Sequence, residues 1–235
     1  MKVTIHQPQF LPWLGYLEKI ARADLFVVLD QVQFKKQEWQ NRNRIRTAHE
    51  WQWLTVPVHQ RFGQRINEVH VNRQVDWRRR HLRALALHYA KAPYRDLALA
   101  GLRRLYETDW ERLVDLNLAV IRWLLETFQI MTPVRLASEL SLRDQPTDRL
   151  IDICRAVGAA TYLAGPGAEQ YLDRPRFETS GFRLELQRFQ HPVYIQCYDP
   201  FIPGMSALDL LMMEGPSGFR RLVIEESANG RIVCA

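Results

Sequence analysis

Residues able to bind ligands and move protons are concentrated near the start of the chain, in His6-Gln7-Pro8-Gln9-Phe10-Leu11-Pro12-Trp13. His6 ends a short apolar run, Lys2 to His6, that reads as a strand, and ligand sites in parallel α/β sheets gather at the carboxyl ends of strands. An imidazole there is able to act as acid or base, or to bind phosphate when charged; the competing reading is a core histidine satisfied by backbone. Pro8 and Pro12 fix backbone angles and stiffen the loop. Trp13 and Tyr16 share a helical face and suit stacking on a base or sugar, or equally a place in the core, and Gly15 permits close approach. Gln7 and Phe10 complete the polar and aromatic cluster.

Asp30 follows Leu25-Phe26-Val27-Val28-Leu29, a second strand-like run, so it should lie at the same sheet edge. There it would accept a sugar hydroxyl or orient His6, with Gln33 and Lys35 nearby; an exposed turn aspartate is the alternative. Asn41-Arg42-Asn43-Arg44 is the densest polar cluster. In an extended segment the asparagines face one side and the arginines the other. Either pair suits polyhydroxyl or phosphate groups, and Trp39 adds stacking. A decorated surface loop would look the same.

Gly165-Pro166-Gly167 stands between a strand and a short helix, where backbone amides can cradle an anion, although no Gly-Lys-Ser/Thr follows and a tight turn would suffice. His191, in a loop with Tyr194 and Gln196, is placed to pair with His6 across one cleft. Ser206 reads as a helix cap rather than a nucleophile. Cys154, Cys197 and Cys234 are far apart and suggest neither a disulfide framework nor a zinc site. Cys154 reads as a small buried hydrophobe. No metal-ligand spacing is present, and no motif identifies a cofactor.

The elements that must position these residues begin with strand, helix (Trp13 to Arg22) and strand, the βαβ unit of a parallel sheet. Phe34 to Gln52 reads as a polar loop over the sheet, followed by strands at Trp53 to Val58 and Ile66 to Val71. Three helices should follow: Asp76 to Ala90, Pro93 to Glu107, and one opened by the capping-box pattern Thr108-Asp109-Trp110-Glu111 and reaching Phe128. The chain then returns to α/β, with a helix Asp148 to Val157, a strand Ala160 to Ala164, a short helix Ala168 to Leu172, a strand Phe182 to Phe189 and a helix from Ser206 to Gly215. The tail after Glu225 should fray. The expected architecture is a Rossmann-like α/β fold, a mainly parallel sheet in one domain over residues 1–235, with an inserted helical lobe at about 76–130.

The net charge is +6, and arginines crowd the stretch from Arg42 to Arg83. That surplus suits a nucleotide, a nucleic acid or another anionic partner, or a solvated basic surface. No apolar stretch approaches the roughly 20 residues of a membrane span. A cytoplasmic protein without membrane insertion is expected.

Several segments together resemble the WbqC-like family. They are His6-Gln7-Pro8 with Phe10-Leu11-Pro12-Trp13-Leu14-Gly15-Tyr16, Asp24, Asp30 and Gln33-Phe34, Trp39 with Asn41-Arg42-Asn43-Arg44-Ile45, Leu54-Thr55-Val56-Pro57-Val58, Tyr162-Leu163-Ala164-Gly165-Pro166-Gly167-Ala168, His191-Pro192-Val193-Tyr194-Ile195-Gln196, and Met205-Ser206-Ala207-Leu208-Asp209-Leu210-Leu211. The resemblance implies a bacterial protein linked to surface-polysaccharide or other specialised biosynthesis. It carries no catalytic mechanism. The opening is also laid out like that of the HxGH nucleotidyltransferases, but Trp13 and Tyr16 stand where their histidines would be.

The leading expectation is an enzyme acting on a nucleotide-activated or phosphorylated small molecule, such as a nucleotide sugar, by acyl, aminoacyl or amide-forming transfer. His6 would be the acid or base and Asp30 its orienter, with Arg42 and Arg44 on phosphate and Trp13 and Tyr16 stacking. The alternatives are a transfer-RNA or other nucleic-acid binding module, favoured by the arginines from Arg61 to Arg83, and a non-catalytic partner of a biosynthetic complex.

Overall fold

A computed structural model describes residues 1–225; the tail after Glu225, and Cys234 with it, lie outside the described residues. The chain opens as expected with β1 (Lys2–His6), α1 (Leu14–Ala21) and β2 (Leu25–Val28). An insertion follows: β3 (Arg42–Arg46), β4 (Trp51–Thr55), β5 (Val58–His59), β6 (His70–Val71), α2 (Trp77–His88), α3 (Arg95–Glu107) and α4 (Leu113–Thr127). The sheet then resumes through β7 (Val134–Leu136), α5 (Pro146–Ala156), β8 (Thr161–Ala164), α6 (Arg174–Thr179), β9 (Arg183–Leu186) and α7 (Ala207–Glu214).

The main sheet has the order β7-β2-β1-β8-β9, and every neighbouring pair is parallel. Leu25 and Val27 of β2 pack, with Val3 and Ile5, against α5 and α6 on one face. Phe26 and Val28 pack into the larger core on the other face, formed by α1, the inserted helices and α7. All four β2 residues are buried, which is why the run is continuously apolar. Helix ends follow local chemistry at Asp76, Gln145, Asp173 and Ser206, whose side chains accept from the first turns of α2, α5, α6 and α7.

Several sequence expectations need correction. The Phe34–Gln52 loop contains β3 and the start of β4, an antiparallel hairpin pairing Arg42 with Thr55 and Arg46 with Trp51. Its inward face carries Asn43 beside Ile45, and Arg46 on the opposite face is buried under the Tyr198–Pro200 turn, so the alternation is not visible as hydrophobicity. The expected strand at Trp53–Val58 is broken before Pro57 into β4 and β5, and Ile66–Glu68 is a 3-10 turn leading into β6. The Thr108–Glu111 box does not cap α4. Instead Val71 N–H donates to Glu111 O and Leu113 N–H to Val69 O, so pairing with β6 outweighs the local signal. The strand expected from Phe182 to Phe189 is only β9, and the short elements β7 and α6 lacked a readable period.

Candidate functional site

The sheet's topology marks one place for a ligand. Chain order across the sheet is third, second, first, fourth, fifth, so the connections diverge between β1 and β8. Ligands of open α/β sheets bind in that crevice, at the strands' carboxyl ends. His6 ends β1, Gly165 follows β8, and Gln187 follows β9.

His6 opens into a pocket of about 150 Å³ lined by Gln7, Gln9, Lys35, Glu38, Trp39 and Gln40. Its Nδ1 lies 3.0 Å from Gln7 O, which assigns the proton to Nδ1 and leaves Nε2 as an acceptor. Burial, then the Lys19 ammonium, push its pKa down to about 3, against a weaker opposing pull from the Gln7 carbonyl. The imidazole is therefore neutral at ordinary pH. The expected binding of phosphate by a charged His6 is corrected to hydrogen bonding by a neutral ring. Gln9 is buried, and its Oε1 has no hydrogen-bond partner among the described residues. Such an orphan acceptor is costly unless a ligand or water donates to it.

The loop carrying these groups is tightly held. Asn43 donates from Nδ2 to Phe10 O and Leu11 O (3.2 and 2.8 Å), Phe10 N–H donates to Trp39 O, and Ala207 N–H donates to Pro12 O. Gln40 Nε2 donates to Gln7 Oε1 at 2.6 Å, while Gln40 O accepts from Asn117 on α4. Leu11 sits at φ 46°, a left-handed conformation that L side chains disfavour by about 1–2 kcal/mol. The Asn43 clamp offsets that strain.

This arrangement corrects the roles of several expected ligand contacts. Asn41 and Asn43 do face away from Arg42 and Arg44, but Asn43 is committed to the loop and Asn41 Nδ2 to Val56 O. Phe10 is fully buried against Trp77 and His81. Tyr16 is buried too, its hydroxyl on Gln7 O and its ring edge-on to His6 at 5.0 Å, so it supports the imidazole from the core. Trp13 is half-buried against Phe189 and folds over its own helix, which only Gly15 allows.

Arg42 and Arg44 lie on the outer face of the hairpin, interleaved with tryptophans. Arg42 sits 4.0 Å over Trp53, and Arg44 lies between Trp39 and Trp51 at 5.4 and 5.2 Å. Arg42 also donates to Gln37 O and Arg44 to Gly204 O. Trp39 joins this ladder to the His6 pocket. Its half-exposed rings offer apolar faces of the kind that bases and sugars stack on.

Asp30 is 1% exposed, its Oδ1 accepting from Ser138 N–H and its carbonyl from Asn67 N–H. It fastens the insertion to the sheet edge. No hydrogen bond joins it to His6 among the described residues, so the expected catalytic pair is corrected. Gln33 is exposed and bridged to Arg65, outside the pocket that Lys35 lines. His191 packs among Phe189, Tyr194 and Phe201 with Nδ1 on Pro192 O, and it is not part of the His6 pocket. Gly165 and Gly167 begin a 3-10 turn over Pro166–Gln170 rather than a phosphate-binding helix. Ser206 caps α7, as expected. Cys154 is fully buried, its thiol pushed up to about 12 by burial. Among the described residues no cluster of His, Cys, Asp or Glu could hold a metal, and no helix is long and apolar enough to cross a membrane.

Sequence reading passed over Lys19, Gln40, Arg46, Asn117 and Asp209, all buried polar residues, and gave Gln9 no role of its own. Gln9 stands inside the quoted loop and was the most legible. Arg46 donates to the carbonyls of Thr47, Glu50, Tyr198 and Pro200, and Asp209 accepts from Tyr89, Tyr194 and Gln196. Together they tie the Tyr194–Gly204 segment to the hairpin.

Similarity to known proteins extends over nearly the whole chain. The Uncharacterized protein Rv1507c of Mycobacterium tuberculosis (strain ATCC 25618 / H37Rv) is 34% identical over 218 residues, covering 91% of this chain and 94% of its own. No solved structure matches. The model of the WbqC-like protein family matches residues 7–221, beginning at the residue after His6. The chain belongs to the WbqC-like protein family.

Proposed function

We propose that the protein is a cytoplasmic biosynthetic enzyme, a transferase that binds a nucleotide-activated or phosphorylated small molecule at the carboxyl edge of β1. A nucleotide sugar of the kind used in polysaccharide biosynthesis, and transfer of an acyl, aminoacyl or amide-forming type, fit this reading best. The observation that carries it is a pocket at the carboxyl end of β1, one of the two strands flanking the sheet's divergence point, that holds a neutral imidazole and an unpartnered buried acceptor. Gln9 Oε1 and His6 Nε2 would accept from hydroxyl or amino groups of the ligand, and Trp39 would cover an apolar face. With Nδ1 committed to Gln7 O, His6 is a weak base that orients a reacting group more readily than it removes its proton.

A thermal-shift panel of nucleotides, nucleotide sugars and coenzyme A thioesters tests this. A ligand at a hundred times its Kd should add about 2.7 kcal/mol, a rise of several degrees in Tm. The rise should vanish in His6→Asn and Trp39→Ala. A full panel without any shift would overturn the proposal.

A second reading has its own observation. A broad groove of about 1040 Å³ beside β5 and β6 is lined by His59, Arg61, Phe62 and Arg73, with Phe62 fully exposed. Exposed aromatic and arginine side chains suit single-stranded RNA. Glu68 and Glu111 line the same groove, and Asp109 occupies Arg73 at 2.7 Å, which weakens its pull on phosphate. RNA retention that falls steeply with salt and is lost in Phe62→Ala would move the assignment there.

A further inference from the structure

Lys19 is 2% exposed, on a helix whose residues from Leu14 to Ile20 are all buried. It makes no hydrogen bond or ion pair among the described residues. Its neighbour Glu18 is already engaged, Oε1 by Arg22 at 3.2 Å and Oε2 by Gln187 at 2.5 Å. Long helical side chains lean toward the helix amino terminus, and α1 starts at the sheet's carboxyl edge. The amine accordingly reaches the divergence point: a methyl group built on Gly165 would lie 3.7 Å from Lys19 Nζ. On the other side it acts electrostatically on His6. Lys19 thus stands between the ends of β1 and β8, a buried amine that no hydrogen bond or ion pair engages among the described residues and that only the Glu18 carboxylate supports electrostatically.

We propose that Lys19 is the anion-binding group of this site, its ammonium contacting a phosphate or pyrophosphate oxygen of the ligand over Gly165. The inference rests on the small-molecule reading above and names the residue that holds the phosphate. Arg42 and Arg44, expected in that role, stack on tryptophan faces and donate to backbone carbonyls, whereas no hydrogen bond or ion pair engages Lys19 among the described residues.

The charge state adds a distinctive signature. Burial pulls the amine down to about 7, with Glu18 opposing; His6 is neutral, and Arg22 is held by Glu18 and Glu185. At about pH 8 most Lys19 amines are then unprotonated, and a bound phosphate restores the proton. Calorimetric titration of the purified full chain with inorganic pyrophosphate and with UDP-glucose, in buffers of low and high ionisation enthalpy, counts protons taken up. The wild type should take up a large part of a proton per UDP-glucose, and more than Lys19→Met with either probe. Lys19→Met should take up none per UDP-glucose and bind roughly 10- to 100-fold more weakly, the loss of one charge-assisted contact. Lys91→Met, at an exposed position, should match the wild type. If Lys19→Met does not fold, Lys19→Arg carries the test, since a permanently charged guanidinium binds without proton uptake. Binding to wild type without uptake, or unchanged by Lys19→Met, overturns this inference and leaves the small-molecule reading standing. No binding of either probe at millimolar concentration overturns both.

Discussion

Acidification should weaken the fold through His81, and the size of the effect follows from its surroundings. The ring is buried among Phe10, Trp77 and Tyr106, with Nδ1 3.0 Å from Tyr106 Oη and Nε2 3.1 Å from Thr55 O. Nε2–H donates to the carbonyl and Nδ1 accepts from the hydroxyl, so both sides hold a neutral tautomer. Burial, against a smaller contribution from Thr55 O, lowers the pKa from 6.5 to about 4. Between those values the unfolded chain binds the proton and the folded one does not. Stability present at pH 7 is therefore lost as pH falls through that window. At about pH 5 the loss is roughly 2 kcal/mol, or about 1 M in a urea midpoint at an m of about 2 kcal/mol/M. His81→Gln will be less stable at both pH values, but its midpoint should fall about 1 M less between pH 7 and pH 5. His6, pushed to about 3, adds to the acid loss equally in both proteins and cancels from the comparison. Equal acid losses in variant and wild type would refute the reasoning.

Other substitutions probe the supports of the site. Arg46→Met leaves the carbonyls of Thr47, Tyr198 and Pro200 without their donor, Glu50 O keeping Thr47 N–H, and should cost about 3–5 kcal/mol, a fall in Tm of roughly 6–20 °C by calorimetry. A fall under 2 °C would mean that water replaces the guanidinium at little cost. Burial raises the Asp209 carboxyl above its ordinary range, so it penalises the fold as pH rises from about 3.8 through the raised value. Asp209→Asn should remove that part of the pH dependence, which denaturant midpoints across pH will show as a wild-type-minus-variant difference that shrinks upward. Gly15→Ala places a methyl group 2.3 Å from Trp13 Cη2 and should cost about 1–3 kcal/mol while moving the indole off Phe189, seen as altered tryptophan emission. Unchanged emission and stability would contradict that packing.

The sheet was legible where burial speaks through apolar runs: β1, β2, β8 and the covering helices other than α6. It was illegible where polar residues line a buried face. In β3, Asn43 and Arg46 are buried on opposite faces because backbone carbonyls of the His6 loop on one side and of the Tyr198–Pro200 turn on the other await donors there. Those acceptors come from distant segments, so no local pattern announces them. The Thr108 box failed for a related reason, since β6 lay ready to pair with that segment.

Much the same holds at the site. His6 and the stiff loop were readable from residue type and from the strand before them. The inward turn of Phe10, Tyr16 and Asn43 was not, because an aromatic or amide beside a histidine has the same sequence signature whether it faces ligand or core. Lys19 was hidden differently. A lysine on a short helix ordinarily reaches water, and only the packing of α1, buried from Leu14 to Ile20, shows otherwise.

The most direct test is a crystal structure of the protein grown with the nucleotide or nucleotide sugar giving the largest thermal shift. The account predicts density in the crevice at the ends of β1 and β8, with a ligand donor on Gln9 Oε1 or His6 Nε2 and a phosphate near Lys19 Nζ. Density confined to the Arg61 and Phe62 groove, with the His6 pocket unchanged, would contradict it.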